Sequence, residues 1–101
     1  MVKMSREDLE KFRKEYEDKF LKMGFKVIVG PYINNSNEMI IGYEKTDGKN
    51  IIVASIFKNK NNEEYASVSY NIHQKFKDYE HISIKEMFSI LEELNKKIDS
   101  V

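Results

Sequence analysis

Apolar side chains recur at three- and four-residue spacing near the start of the chain, at Leu9, Phe12, Tyr16, Phe20 and Met23, and so form one stripe of an α-helix. Ser5 precedes that stripe with Asp8 three residues on, a capping box, and Met4 is placed to staple onto Leu9. Glu7/Lys11, Glu10/Lys14, Glu15/Lys19 and Asp18/Lys22 line the solvent side as i,i+4 pairs, and Gly24 supplies a left-handed stop. A second helix starts the same way: Ser83 and Glu86 form a capping box, and Ile82 is placed against Met87. Ile84, Met87, Phe88, Leu91, Leu94 and Ile98 make its buried stripe.

Between the helices the period changes to two. β-Branched and aromatic runs predict four strands, at residues 25–33, 38–45, 50–58 and 64–72. The polar connections 34–37, 46–49 and 59–62 are too short for a crossover, so the strands are antiparallel neighbours. The predicted fold class is therefore α+β: helix, four-stranded antiparallel meander and helix, in a single domain over residues 1–101. Asp47-Gly48 reads as a two-residue type I′ turn that sets Tyr43 opposite Ile52. Pro31 suits an edge strand or a bulge, which points to the first strand.

That register puts Phe25, Val27, Val29, Ile40, Ile51, Val53, Phe57, Ala66, Val68, Tyr70 and Ile72 on one face, the expected main core. The opposite face carries Ile28, Tyr32, Met39, Ile41, Tyr43, Ile52, Ala54, Ile56 and Tyr65, then Ser67, Ser69 and Asn71. A solvated face of an antiparallel sheet is not that apolar. Either residues 73–82 carry the last helix across to cover it, or both helices share the first face. In the second case Tyr32, Met39, Ile41, Tyr43, Ile52, Ile56 and Tyr65 are partner-binding residues, for another protein or for a second copy in a homodimer. A bulge or slip at Gly30-Pro31 or Gly42 would exchange the faces locally.

Composition narrows the function. With no cysteine, disulfides, thiolate nucleophiles and Cys-ligated zinc are excluded. Lys+Arg and Asp+Glu balance at 17 each, and they balance locally as well, so no stripe for a polyanion follows. The N-terminal residues show neither a signal peptide nor a membrane span, and the expected location is cytoplasmic. Richness in Lys, Asn and Ile is the bias that an AT-rich bacterial or phage coding sequence produces.

Candidate chemistry is sparse. His73 and His81, with Asp78 and Glu80 between them, match no zinc spacing, and no metal is expected. Glu63-Glu64 and Glu92-Glu93 are neighbours whose side chains point in different directions, unlike a paired acid and base. Ser55, Ser67, Ser69 and Ser89 lack a nucleophile elbow, and the four glycines are isolated, so neither a catalytic serine nor a nucleotide cofactor is expected. Asn34-Asn35-Ser36 matches a glycosylation sequon but reads better as a turn.

The expected function is a small non-enzymatic protein-binding domain of inhibitor, immunity or adaptor type. Two alternatives stand beside it. One is a weak nucleic-acid binder using Lys58/Lys60 and Lys75/Lys77; the other is a small-ligand site around Tyr70, His73 and His81.

Overall fold

The computed structural model describes residues 5–99. Helix α1 (Arg6–Lys22) is followed by β1 (Lys26–Ile33), β2 (Met39–Thr46), β3 (Ile51–Lys58), β4 (Glu64–Ile72), β5 (Lys75–Ile82) and α2 (Ile84–Asp99). The strands form one antiparallel sheet in sequence order, a meander with β1 and β5 at its edges. The fold class stands, with five strands in place of four.

The helix ends form as their sequences require. Asp8 N donates to Ser5 Oγ at 3.3 Å and Ser5 N donates to the Asp8 carboxylate at 2.8 Å, which satisfies two free donors reciprocally. The proposed staple partner Met4 lies outside the described residues. At the other end Gly24 takes a φ of 87°. Phe25 N then reaches Phe20 O at 2.9 Å and Gly24 N reaches Leu21 O at 3.0 Å, a Schellman motif. The Phe20 and Phe25 rings meet edge to face at 5.5 Å, supplying the hydrophobic contact that goes with it. Ser83 Oγ caps α2 through Glu86 N at 3.0 Å.

The fifth strand occupies the stretch expected to be a connection. Its turn is His73-Gln74, both at positive φ (54° and 66°), between the paired residues Ile72 and Lys75. That is the φ pattern of a type I′ turn without the Asn-Gly or Asp-Gly signature. The strand itself reads Lys-Phe-Lys-Asp-Tyr-Glu-His-Ile, charged at four of its eight positions, as suits an edge.

Register decides which face is interior. Tyr43 pairs with Ala54, not Ile52, because the β2–β3 loop holds four residues. Asp47 accepts from the backbone N–H groups of Lys49 (2.9 Å) and Asn50 (2.7 Å), while Thr46 Oγ1 donates to Asn50 O at 2.8 Å. A shift of two residues leaves the faces unchanged. The β3–β4 loop differs from expectation by one residue, and that reverses them. Asn59 N donates to Glu63 O at 3.0 Å, Asn62 sits at φ 63°, and Lys58 pairs with Glu64. Five loop residues therefore replace four, and Ile52, Ala54 and Ile56 share a face with Tyr70, Val68 and Ala66. The β1–β2 loop is built the same way, with Asn34 N on Glu38 O at 2.9 Å and Asn37 at φ 59°, so Tyr32 pairs with Ile40.

Both helices pack on the face that carries Met39, Ile41, Tyr43, Ile52, Ala54, Ile56, Ala66, Val68 and Ile72. Phe12, Tyr16 and Phe20 of α1 and Met87, Leu91, Leu94 and Ile98 of α2 complete this core. The residues expected to form the main core on β2 and β3 (Ile40, Ile51, Val53 and Phe57) lie on the opposite face, which neither helix covers. Val27 and Val29 of β1 are exposed.

Two predictions arise from these elements. Phe20 and Tyr43 stack at 3.9 Å with their rings 6° apart, and the Tyr43 hydroxyl is buried with no protein partner. Burial pushes that phenol up to about 12. Tyr43→Phe removes a desolvated hydroxyl while keeping the stack, and is expected to leave stability unchanged or raise it by about 1 kcal/mol in urea unfolding.

Hydrogen bonds from the backbone of Asn50 and Lys49 hold the Asp47 carboxyl below its usual range. The folded state thus binds this proton less readily than the unfolded chain. The resulting stability is complete above the ordinary carboxylate range and is lost as pH falls through that range and below it. Asp47→Ala is expected to flatten the acid limb of a plot of urea midpoint against pH.

Candidate functional site

The uncovered sheet face is built from alternate residues whose partners the register fixes. Across it runs one row of large side chains: Tyr32 pairs with Ile40, Ile40 with Phe57, and Phe57 with Tyr65. Phe57 and Tyr65 stack at 4.9 Å with their planes 7° apart, and Tyr65 meets the His81 ring at 4.3 Å. The ridge therefore reaches from one sheet edge to the other. The Tyr65 hydroxyl donates to the Glu38 carboxylate, and that bond, reinforced by partial burial, pushes the phenol up to about 12. Asn34 Nδ2 also donates to Glu38, at 3.1 Å, so the carboxylate is tied down at the rim.

Two residues further along the strands lies a row of small side chains, Gly42, Ser55 and Ser67, paired in that order across β2, β3 and β4. Val29 closes its β1 end, since a Cβ on Gly42 would lie 3.3 Å from Val29 Cβ and 3.6 Å from Ser55 Oγ. A groove thus runs parallel to the ridge. Neither row carries a charged side chain across β2, β3 and β4.

The sheet edges are blunted. On β1 the pairing with β2 is irregular between Val27 and Val29 and again between Val29 and Tyr32, where Gly30 and Pro31 stand. Proline offers no N–H to an incoming strand. On β5 the edge carries Lys75, Lys77, Asp78 and Glu80, and the ladder is irregular opposite Ala66–Val68, near His81 at φ 54°. Five of the seven large apolar side chains exposed among the described residues nevertheless stand on β1: Val27, Ile28, Val29, Tyr32 and Ile33.

Of the seven residues expected to bind a partner, Met39, Ile41, Tyr43, Ile52 and Ile56 are core residues under the helices, with Ile41, Ile52 and Ile56 at 0% exposure. They offer nothing to a partner in this fold. Tyr32 and Tyr65 are accessible, and both belong to the ridge. Half-buried Phe57 and exposed His81, absent from the expected set, complete it, together with Ile40, which is itself buried between Tyr32 and Phe57.

The alternatives do not assemble. Lys58 is held by Glu15 (3.8 Å) and Glu64 (3.7 Å) on the helix side. Lys60 lies in the β3–β4 loop, whereas Lys75 follows the β4–β5 turn at the far end of a nine-residue strand, about 30 Å away. Tyr70 lines a shallow cleft with Tyr79, Ser89 and Leu94. His73 lines another, at the hairpin tips, with Lys49, Asn50, Asn71 and Gln74. His81 sits on Tyr65 at the opposite end of β5. Among the described residues no helix is long and apolar enough to cross a membrane. No known protein family, no curated protein and no solved structure matches the chain.

Proposed function

We propose that this chain is a small protein-binding domain that acts stoichiometrically, in the manner of an inhibitor, immunity protein or adaptor, through the sheet face opposite the helices. The observation that carries this reading is the ridge Tyr32–Ile40–Phe57–Tyr65–His81, aromatic at four of its five positions, on a face that neither helix covers. Aromatic side chains supply large contact area at low entropic cost, and they anchor protein interfaces. A binding role is favoured over catalysis because the histidines stand at opposite ends of β5 and the acidic and nucleophilic side chains are dispersed.

Retention of protein from a lysate of the native host on immobilised chain tests the reading, with Phe57→Glu as the disabled form. Leu21→Glu, at an exposed apolar position on α1, is the control. Wild type and Leu21→Glu are expected to retain the same species, and a folded Phe57→Glu to lose it. Equal retention by all three would contradict the assignment of the face.

A further inference from the structure

We propose that the cleft between the two hairpin tips, at the end of the sheet away from the aromatic ridge, binds a neutral sugar. The cleft has a volume of about 570 Å³, of the size that small-ligand sites have, and is lined by Lys49 and Asn50 of the β2–β3 loop and by Asn71, His73 and Gln74 of the β4–β5 hairpin. Its two walls are joined before any ligand arrives. Asn50 is buried, its Oδ1 accepts from His73 N at 2.9 Å, and its Nδ2 donates to Asp47 at 3.0 Å.

Two observations meet at this cleft, and packing accounts for neither. The Asn71 side chain makes no hydrogen bond among the described residues, although its Oδ1 is buried. A desolvated acceptor left unpaired is unfavourable, and a ligand hydroxyl can answer it once the carboxamide turns toward the cleft. Beside it, Phe76 pairs with Asn71 across β4 and β5 and is 79% exposed, the most exposed large apolar side chain among the described residues. Asn71 pairs with Ile51 on its other side, so Phe76 stands on the face away from the helices. An exposed ring beside unspent amides offers a platform for the C–H face of a sugar ring. The carboxamides of Asn71 and Gln74 both donate and accept, as sugar hydroxyls do.

Charge favours a neutral ligand. No carboxylate lines the cleft, its one cation is Lys49, and Asp47 in the same loop offsets that charge. An ion therefore finds no net field there to hold it.

Titration of the ¹⁵N-labelled full chain with glucose, galactose, mannose and N-acetylglucosamine, to high millimolar concentration, tests the inference through the side-chain amide signals of Asn71 and Gln74. At least one of these sugars is expected to shift both signals saturably. Phe76→Ala, which removes the platform, and Asn71→Leu, which removes the unpaired amide, are each expected to weaken binding about fivefold or more, read at Gln74. Phe57→Glu, at the far end of the sheet, is expected to bind sugar like wild type. Phe76 is exposed, so Phe76→Ala carries the test if Asn71→Leu fails to fold, which circular dichroism shows. No saturable shift with any of the four sugars overturns the inference, as does a folded Phe76→Ala that binds like wild type. Saturable shifts with inorganic phosphate and none with the sugars would overturn it as well, by making the cleft an anion site.

Discussion

Ile41→Ala is expected to destabilise the chain by about 2–5 kcal/mol, and Ile41→Glu to unfold it. Ile41 is fully buried at the centre of β2, beneath the core shared by both helices, and it pairs with Ile56, which is equally buried. Truncation removes transfer energy and leaves a cavity that a sheet fixed on both sides does not close. A domain of this size has about 5–15 kcal/mol in total, so the loss is a large share of it. Val53→Ala, partly exposed on the opposite face, is expected to cost less than about 1 kcal/mol. Urea unfolding of the two variants checks the pair. Similar losses at both positions would mean that both faces are covered.

Gly30→Ala is the second large effect, expected to cost at least about 2 kcal/mol. Gly30 takes a φ of 77°, where an L side chain costs about 1–2 kcal/mol. A Cβ there would also lie 2.4 Å from the carbonyl oxygen of Ile40 and 3.0 Å from Tyr32 N, both backbone atoms that cannot swing aside. Gly48→Ala provides the comparison. Its φ of 96° carries the conformational cost, but its Cβ would meet nothing within 4 Å, so about 1 kcal/mol is expected. The difference between the two melting temperatures isolates the close approach of β1 to β2. That approach is what seats Tyr32 beside Ile40 at the start of the ridge.

Both helices were legible in the sequence because each announces itself twice, by a stripe of period 3.6 and by a capping serine that the structure shows accepting its bond. The antiparallel meander was legible for the same reason, since short polar loops leave no room for a crossover. The interior face was not. Its assignment turns on whether a loop holds four residues or five, and hydrophobic alternation is silent on that when both faces are apolar.

The signal that would have settled it is a local repeat. Asn34-Asn35-Ser36-Asn37-Glu38 and Asn59-Lys60-Asn61-Asn62-Glu63 share an opening Asn, an Asn in fourth place and a closing Glu. In each, the first Asn side chain accepts from the third and fifth backbone N–H groups, and the fourth residue takes the left-handed conformation that Asn tolerates. Counting five residues in both loops places Ile52 with Tyr70, and Tyr32 with Ile40. β5 was missed for a different reason: an edge strand of alternating charge and aromatic residues has little hydrophobic period, and His73-Gln74 is an unusual pair for a turn with two positive φ angles.

Five of the seven residues expected to bind a partner thus lie under the helices, and only Tyr32 and Tyr65 stand on the other side of the sheet. The physical premise behind that expectation holds in part: both helices lie on one face, while the other is apolar along Tyr32, Ile40, Phe57 and Tyr65 and at Val53 and Ile51 but polar at Glu44, Ser55, Ser67 and Ser69.

Because the chain contains no cysteine, single thiols report directly on which face is open. Ala54 and Ser55 are neighbours on β3, the first fully buried under the helices and the second lining the groove. At micromolar concentration a thiol reagent is expected to label Ser55→Cys readily in native buffer, and Ala54→Cys only as fast as the chain unfolds. Rapid labelling of Ala54→Cys beside a protected Ser55→Cys would place the helices on the wrong side of the sheet.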